Sequence, residues 1–249
     1  MFSVSGIKKA CFAGLMLLAT HNLCASEPLY YNLGTTGSSV PYENAVDDAR
    51  PGIFVEILPL IMDRAGIETS KVMLSTQRAM RAFQNGGLDF DFFSPSWLSE
   101  DEKNHDFVFT DPILTITEYF ITRPAMAPQY ASIDHIHGNI VGTISGYVYF
   151  DDDKFDRLDF LSEKTLILGL GKGRVDIAIM EEAAARYWSA KHGIPITFGP
   201  VHTTGEMALR LHKKHADKVP QINAIIAELH QSGEFDRIIQ KYADLSGVR

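Results

Sequence analysis

Residues 78–123 limit the fold most, because within that stretch the chain reads as a helix, a tight turn, a buried strand and a polar loop. Ala79, Met80 and Phe83 share one helical face, and Gly86-Gly87 ends the helix, since glycine tolerates the left-handed conformation found there. Leu88, Phe90, Phe92 and Phe93 then read as a strand. That strand breaks off at Ser94-Pro95-Ser96-Trp97, and a loop leaving the carboxyl end of a strand is where open α/β sheets bind ligands. The stretch is therefore expected to form one wall of a cleft. An acidic, helix-starting segment follows, Pro112 keeps Asp111 out of the helical region, and the β-branched and aromatic residues 115–122 lead away as an extended segment.

The same logic returns further on. GKGRVDIAIM, residues 171–180, sets Gly173 and Asp176 where GGLDFDFF has Gly86 and Asp89. The echo suggests two units, each with a glycine turn feeding a buried strand that ends in polar residues. These are Ser94 and Ser96 in the first unit, Glu181 and Glu182 in the second. Ahead of the first echo, residues 29–33 read as a strand, and the small residues 34–39 form a loop whose backbone a ligand could approach. Pro41-Tyr42-Glu43 closes it. Ile53, Val55, Ile57, Leu58, Leu60 and Ile61 carry a helix to Ala65-Gly66, residues 71–74 read as the next strand, and Ser75 or Thr76 supplies an N-cap. Beyond Arg123 a proline-bearing linker leads to a strand over 139–144, ended by Ser145-Gly146. A solvated Asp151-Asp152-Asp153 loop, a weakly helical 158–170, an extended 196–211 and two helices over 219–230 and 235–242 complete the chain.

The first 25 residues are of another kind. Lys8 and Lys9 precede an apolar run over 10–19, and small residues stand at Ala25-Ser26, which is the layout of a cleavable secretory signal. The run falls short of the roughly 20 apolar residues that cross a bilayer. A soluble periplasmic protein, cleaved near Ala25, is expected. Both cysteines, Cys11 and Cys24, lie in that leader, and the rest of the chain is long enough to build a core without disulfides. The formal charge of −8 becomes −10 once Lys8 and Lys9 are removed, which argues against nucleic acid or an anionic membrane as partner.

Taken in order, these segments resemble the exported solute-binding proteins of family 3, receptors that feed polar amino acids and similar solutes to ABC transporters. The resemblance covers the mature chain and rests on SSVPYEN, PGIFVEILPLIMDRAGI, RAFQNGGLDFDFF with SEDEKNHDFVFTDPI, SIDHIHGNIVGTISG, GKGRVDIAIMEE and INAIIAELHQSGEFDRIIQKYAD. It implies an α/β, two-lobe, periplasmic-binding-protein-like fold of type II, with a central sheet in each lobe and a two-stranded hinge crossing near 117–124 and 198–206. Lobe 1 would be discontinuous, residues 26–122 and 203–249, and lobe 2 residues 123–202. The lobes would close on a small polar solute, with a membrane permease as partner, a monomeric state and no cofactor.

The resemblance also implies positions for the ligand contacts. The family's carboxylate-gripping arginine falls at Lys103, its first-loop aromatic at Ser39, and the acid that meets a ligand ammonium at Glu181. Its glycine-hydroxyl loop in lobe 2 becomes Ser145-Gly146-Tyr147-Val148. These departures bear on the ligand, while the architecture is unaffected. Trp97 and Tyr147 offer replacement stacking surfaces, and Lys103 facing Glu181 would suit a zwitterionic or mixed-polarity ligand. The candidate set is Ser39, Tyr42, Arg78, Ser94, Ser96, Trp97, Lys103, Ser145, Tyr147, Val148 and Glu181.

Several of these have plainer roles available. Arg78 and Lys103 would serve as solvated surface charges, Trp97 as rim packing, and Glu181 as the cap of a helix over 183–188. His135-x-His137 and His212-x-x-His215 have no third ligand at short spacing, and the Asp151–Asp153 run lacks a calcium loop's glycine, so no metal is expected. Gly169-x-Gly171-x-Gly173 precedes a strand, not the helix a dinucleotide fingerprint requires. Two other classes share the scaffold. One is an exported dehydratase-like enzyme with Glu181 or Glu182 as proton donor; the other is a sensory partner of a membrane signalling protein. A buried glutamate with a raised pKa speaks for acid catalysis, and one paired to an ammonium speaks for capture. The reading adopted is a non-enzymatic receptor.

Overall fold

The computed structural model describes residues 27–33, 37–45, 47–98 and 106–246. The expected leader, the acidic segment after Leu98 and Lys103 lie outside the described residues. β1 (Leu29–Tyr31) is followed by α1 (Ile53–Arg64), whose buried Ile53, Ile57, Leu58 and Ile61 share the face expected from their three-to-four-residue spacing. That helix starts at Gly52 because nothing larger fits. Its φ is 127°, and an added Cβ would lie 2.2 Å from the Tyr42 carbonyl oxygen. Next come β2 (Thr69–Lys71), α2 (Thr76–Gln84), β3 (Phe90–Phe93), β4 (Phe107–Phe109) and β5 (Leu114–Thr122). Short 3-10 turns lead to β6 (Ile140–Ile144), β7 (Asp156–Phe160), α3 (Glu163–Gly171), β8 (Ile177–Glu181) and α4 (Glu182–His192). The long β9 (Thr197–His212) then precedes α5 (Val219–Gln231), α6 (Glu234–Lys241) and α7 (Ala243–Ser246).

The strands order as β2-β1-β3-β9-β5-β8-β6-β7, with β4 also on β9. β1 runs parallel to β2 and β3, while β6 runs parallel to β7 and β8. Between these parallel parts stands an antiparallel ribbon of β5 and β9, paired from Leu114↔Met207 to Thr122↔Thr197 with two shifts of register on the way. β9 continues past the ribbon to pair with β3, from Phe93↔Ala208 to Phe90↔Leu211. The result is an α/β fold with a half-sheet on either side of a two-strand crossing.

Two bodies of apolar packing follow. On the first half-sheet Ile57, Phe90, Leu209, Ile226, Phe235 and Tyr242 form one core, built from both ends of the chain. On the second, Ile144, Leu166, Met180, Ala184 and Trp188 cover one face, and Phe120, Ile136, Val141 and Ile179 the other. Val40, from the loop after β1, packs into the second body. That crossing brings the two halves together over the site.

The glycine-aspartate echo corresponds to structure. Gly86 ends α2 with φ 72° and Gly173 ends α3 with φ 67°. Three residues on, Asp89 accepts from the Tyr30 N–H at 2.8 Å and Asp176 pairs with Arg123, so each turn is fastened to a neighbouring strand. Other expectations need correction. The second strand lies at Thr69–Lys71, ahead of residues 71–74, because its ladder partners are Leu29–Tyr31. Residues 158–170 divide at Ser162: an edge strand precedes it, and a helix follows, started by the capping box of Ser162 and Thr165. Asp151 is buried and bonded to His202, so it is no part of a solvated loop.

Gly205, opposite Ile116 in the ribbon, leaves no room for a side chain, since an added Cβ would lie 2.4 Å from both Ser94 Oγ and Ser96 Oγ. Gly205→Val is expected to lower the unfolding free energy by about 1–3 kcal/mol, read as a lower urea midpoint with an unchanged m value.

Candidate functional site

A cavity of about 170 Å³ lies between the half-sheets. From the first side the loop after β1 contributes Ser39 and Tyr42, α2 contributes Thr76 and Met80, and β3 with the turn after it contributes Asp91, Phe92 and Trp97. From the second side come Glu118 of β5, Tyr147, Val148 and Tyr149 after β6, Glu163 at the start of α3 and Glu181 at the end of β8. Strand ends and helix starts dominate because there side chains and backbone groups project beyond the ladder.

Bonds between the two sides close the cavity. Tyr42 Oη donates to Glu181 Oε1 at 3.0 Å, Trp188 Nε1 donates to the Ser38 carbonyl at 2.6 Å, and Ser38 Oγ bonds Glu163. Gly146, with φ 89°, approaches the backbone of α2 so closely that a Cβ would sit 2.8 Å from Gln77 N.

Glu181 is the N-cap of α4, accepting from the N–H groups of Ala183 at 3.0 Å and Ala184 at 2.9 Å. Burial raises its carboxyl to about 7, against the lowering effect of those two N–H groups and the Tyr42 hydroxyl. Glu163 is 4% exposed and accepts from Tyr147 Oη at 2.7 Å. Asp91 is raised by burial although both its oxygens meet the Arg210 guanidinium, at 3.0 and 2.6 Å. Arg210 is itself buried, with Phe93 and Phe83 stacked on it at 3.7 and 4.2 Å.

Behind Glu118 stands His202 of β9. Its Nε2 meets Asp151 Oδ1 at 2.9 Å, and its Nδ1 lies 3.5 Å from Glu118 Oε2, an ion-pair contact longer than a hydrogen bond. Thr203 Oγ1 donates to the same Glu118 oxygen at 2.7 Å. Phe120, Tyr149 and Phe150 enclose the ring. Burial works against the imidazolium, but the two carboxylates prevail and raise the ring to about 9.

Of the residues expected from the sequence, Ser39, Tyr42, Trp97, Tyr147, Val148 and Glu181 meet at the cavity wall. Arg78 is exposed on α2, and Ser145 spends its N–H on the Phe160 carbonyl; neither lines the cavity. Ser94 and Ser96 bond each other at 2.8 Å and pack on Gly205, away from the wall. Trp97 packs edge-on against Phe93, and its buried Nε1 has no partner among the described residues. Sequence reasoning missed Asp91, Glu118, Glu163 and the His202 cluster. Ser162 as an N-cap residue directly before an acid would have placed Glu163 at a helix start, and Glu118 is an acid within an otherwise apolar and hydroxyl-bearing strand. Among the described residues no group of three or more His, Cys, Asp or Glu is placed to hold a metal. No described helix is long and apolar enough to cross a membrane.

A family model described as bacterial extracellular solute-binding proteins, family 3, matches residues 31–244. No curated protein matches the chain in sequence. Among solved structures the chain is similar to a mutant of ArgBP from T. maritima, at 21% identity and TM-score 0.70, over 87% of this chain and 95% of that one. It is similar to an amino acid ABC transporter substrate-binding protein from Streptococcus pneumoniae bound to L-arginine, at 21% identity and TM-score 0.69, over 88% and 95%. A third likeness is to an ancestral amino-acid-binding protein, a precursor of cyclohexadienyl dehydratase, at 16% identity and TM-score 0.67, over 86% and 95%. At these identities the structural likeness is one of fold.

The His202 cluster carries a pH dependence. Because its pKa rises from 6.5 to about 9 on folding, the site's contribution to stability is complete below pH 6.5 and lost as pH climbs through about 9. The melting temperature is expected to fall across that window, and His202→Gln to flatten the fall while lowering stability at pH 6. Parallel pH profiles for variant and parent would contradict this.

Proposed function

Because the chain belongs to the bacterial extracellular solute-binding proteins, family 3, we propose that it is an exported receptor that captures a small amino-acid-like solute between two lobes and hands it to an ABC-type permease. In this reading residues 1–25 are removed on export, residues 26–122 and 203–249 form one lobe, residues 123–202 form the other, and the protein acts as a monomer in the periplasm. The observation that carries it is the cavity at the ribbon, closed by Tyr42 on Glu181 and by Trp188 on Ser38. Those contacts join the loop after β1 to the second half-sheet. Opening the β5–β9 crossing would break them and expose the cavity, so a solute that touches both walls favours the closed form.

Ser39, Tyr42, Trp97, Tyr147, Val148 and Glu181 are the proposed solute contacts. Solved relatives named for arginine support an amino-acid-like solute. A dehydratase-like reading would need Glu181 to hand its proton to a leaving group. Its carboxyl is raised to about 7, the direction an acid catalyst needs, but both its oxygens already accept from Tyr42 and two backbone N–H groups, and these bonds favour the charged form.

The test is a melting-temperature screen against amino acids, amines and small organic acids. A captured solute at 100 times its Kd is expected to add about 2.7 kcal/mol, and Trp97→Ala to weaken it by about tenfold or more. A panel without any shift contradicts the receptor, as does turnover without stoichiometric binding.

A further inference from the structure

Glu118 is the one acid of β5, and it lines the cavity although only 6% of it is exposed. The ribbon's register slips between Glu118 and Tyr119, and that irregularity aims the side chain between the half-sheets. The groups that hold it stand behind it on β9. Thr203 Oγ1 donates to Glu118 Oε2 at 2.7 Å, and His202 Nδ1 lies 3.5 Å from the same oxygen. Oε1 accepts from no described group. A carboxylate oxygen withdrawn from bulk water gains most from a donor placed against it.

His202 is itself fixed. Its Nε2 meets Asp151 Oδ1 at 2.9 Å, and its side chain is 1% exposed among Phe120, Tyr149 and Phe150. An imidazole bonded at one nitrogen keeps the other aimed, so the Asp151 bond turns Nδ1 toward Glu118. Asp151 also follows the segment that brings Tyr147, Val148 and Tyr149 to the cavity wall, so the triad fastens that wall to the ribbon. An apolar filling of the same space would avoid the desolvation of an imidazolium and two carboxylates. Packing alone therefore does not account for the three residues. Added to burial, the charge of Glu118 raises both Glu181 and Tyr149, so it is felt within the cavity.

We propose that Glu118 is a specificity-determining contact whose Oε1 accepts from an N–H group on the side chain of the solute, amino, guanidino or amide, and that His202 and Asp151 are its positioning residues. This rests on the receptor reading and names the end of the solute that is selected at the ribbon. Glu118 belongs to the strand pair that joins the half-sheets, so it meets the part of the solute that reaches the crossing, while Tyr42, Trp97 and Glu181 stand on the elements to either side. A solute of equal length with an apolar end would cover Oε1 without giving it a donor. Sites built around a hydrogen bond reject such analogues strongly.

Titration calorimetry with L-ornithine and L-norleucine, whose side chains are equally long and end in an amino and a methyl group, tests this, with L-arginine and L-glutamine alongside. The tightest binder among ornithine, arginine and glutamine is expected to exceed norleucine by about tenfold or more. Glu118→Gln should cut that ratio to about threefold or less, weakening the donor-bearing solute and sparing norleucine. His202→Gln should cut it as well. The double variant should do no more than Glu118→Gln alone, because a positioning residue acts only through the residue it positions. A ratio unchanged in Glu118→Gln, or an equal loss for norleucine, overturns the contact and leaves the receptor standing. Losses that add in the double variant overturn the positioning role. Should Glu118→Gln fail to fold, the ratio in His202→Gln decides. If none of the four solutes binds, the contact falls, and the receptor reading falls with it only when the wider melting-temperature panel is also silent.

Discussion

Sixteen consecutive residues of β9 bind the two halves of this molecule into one, because each backbone group along a strand must find a partner. The C-terminal part of β9 meets that demand on β3 and β4, and the N-terminal part on β5. The ladder slips between Glu118 and Tyr119 and again between Tyr119 and Ile121. Such irregularities bend a strand and re-aim its side chains. Here they fall where the ribbon passes from one half-sheet to the other. Glu118 consequently faces the cavity while His202 and Thr203 back it from β9.

From that ribbon the charge pattern follows. Behind two of the cavity acids a strand of the ribbon or its continuation supplies a cation: Arg210 for Asp91, His202 for Glu118. Glu163 and Glu181 sit on α3 and β8, away from β9, and are held by neutral donors. The loop after β1 reaches both through Ser38 and Tyr42. One loop therefore closes the cavity and touches both acids.

Local periodicity made much of the fold readable. Helix α1 carries apolar residues at helical spacing after Pro51-Gly52, and the turns at Gly86 and Gly173 announce themselves through glycine and the aspartate three residues on. Strand β7 was unreadable because it pairs on one side only, so its Leu158 is exposed and its alternation is faint. The site was half readable. Tyr42, Trp97 and Tyr147 stand in loops at strand ends, where ligand contacts are expected, but Arg78 shows that a helix start does not reveal which face a side chain takes. Asp151, Glu118 and His202 come from segments separated by tens of residues, and only the fold brings them together. Glu163 was hidden by its place in a helix cap, where an acid needs no further reason to be.

Counting protons is the most direct check that the cavity is a solute-receptor site with Glu181 at its wall. Calorimetric titration of a captured amino-acid-like solute at pH 7 in two buffers of different ionisation enthalpy gives the number released per ligand bound. With Glu181 raised to about 7, the account expects a net release on the order of half a proton. Binding with no release, or with proton uptake, would contradict it.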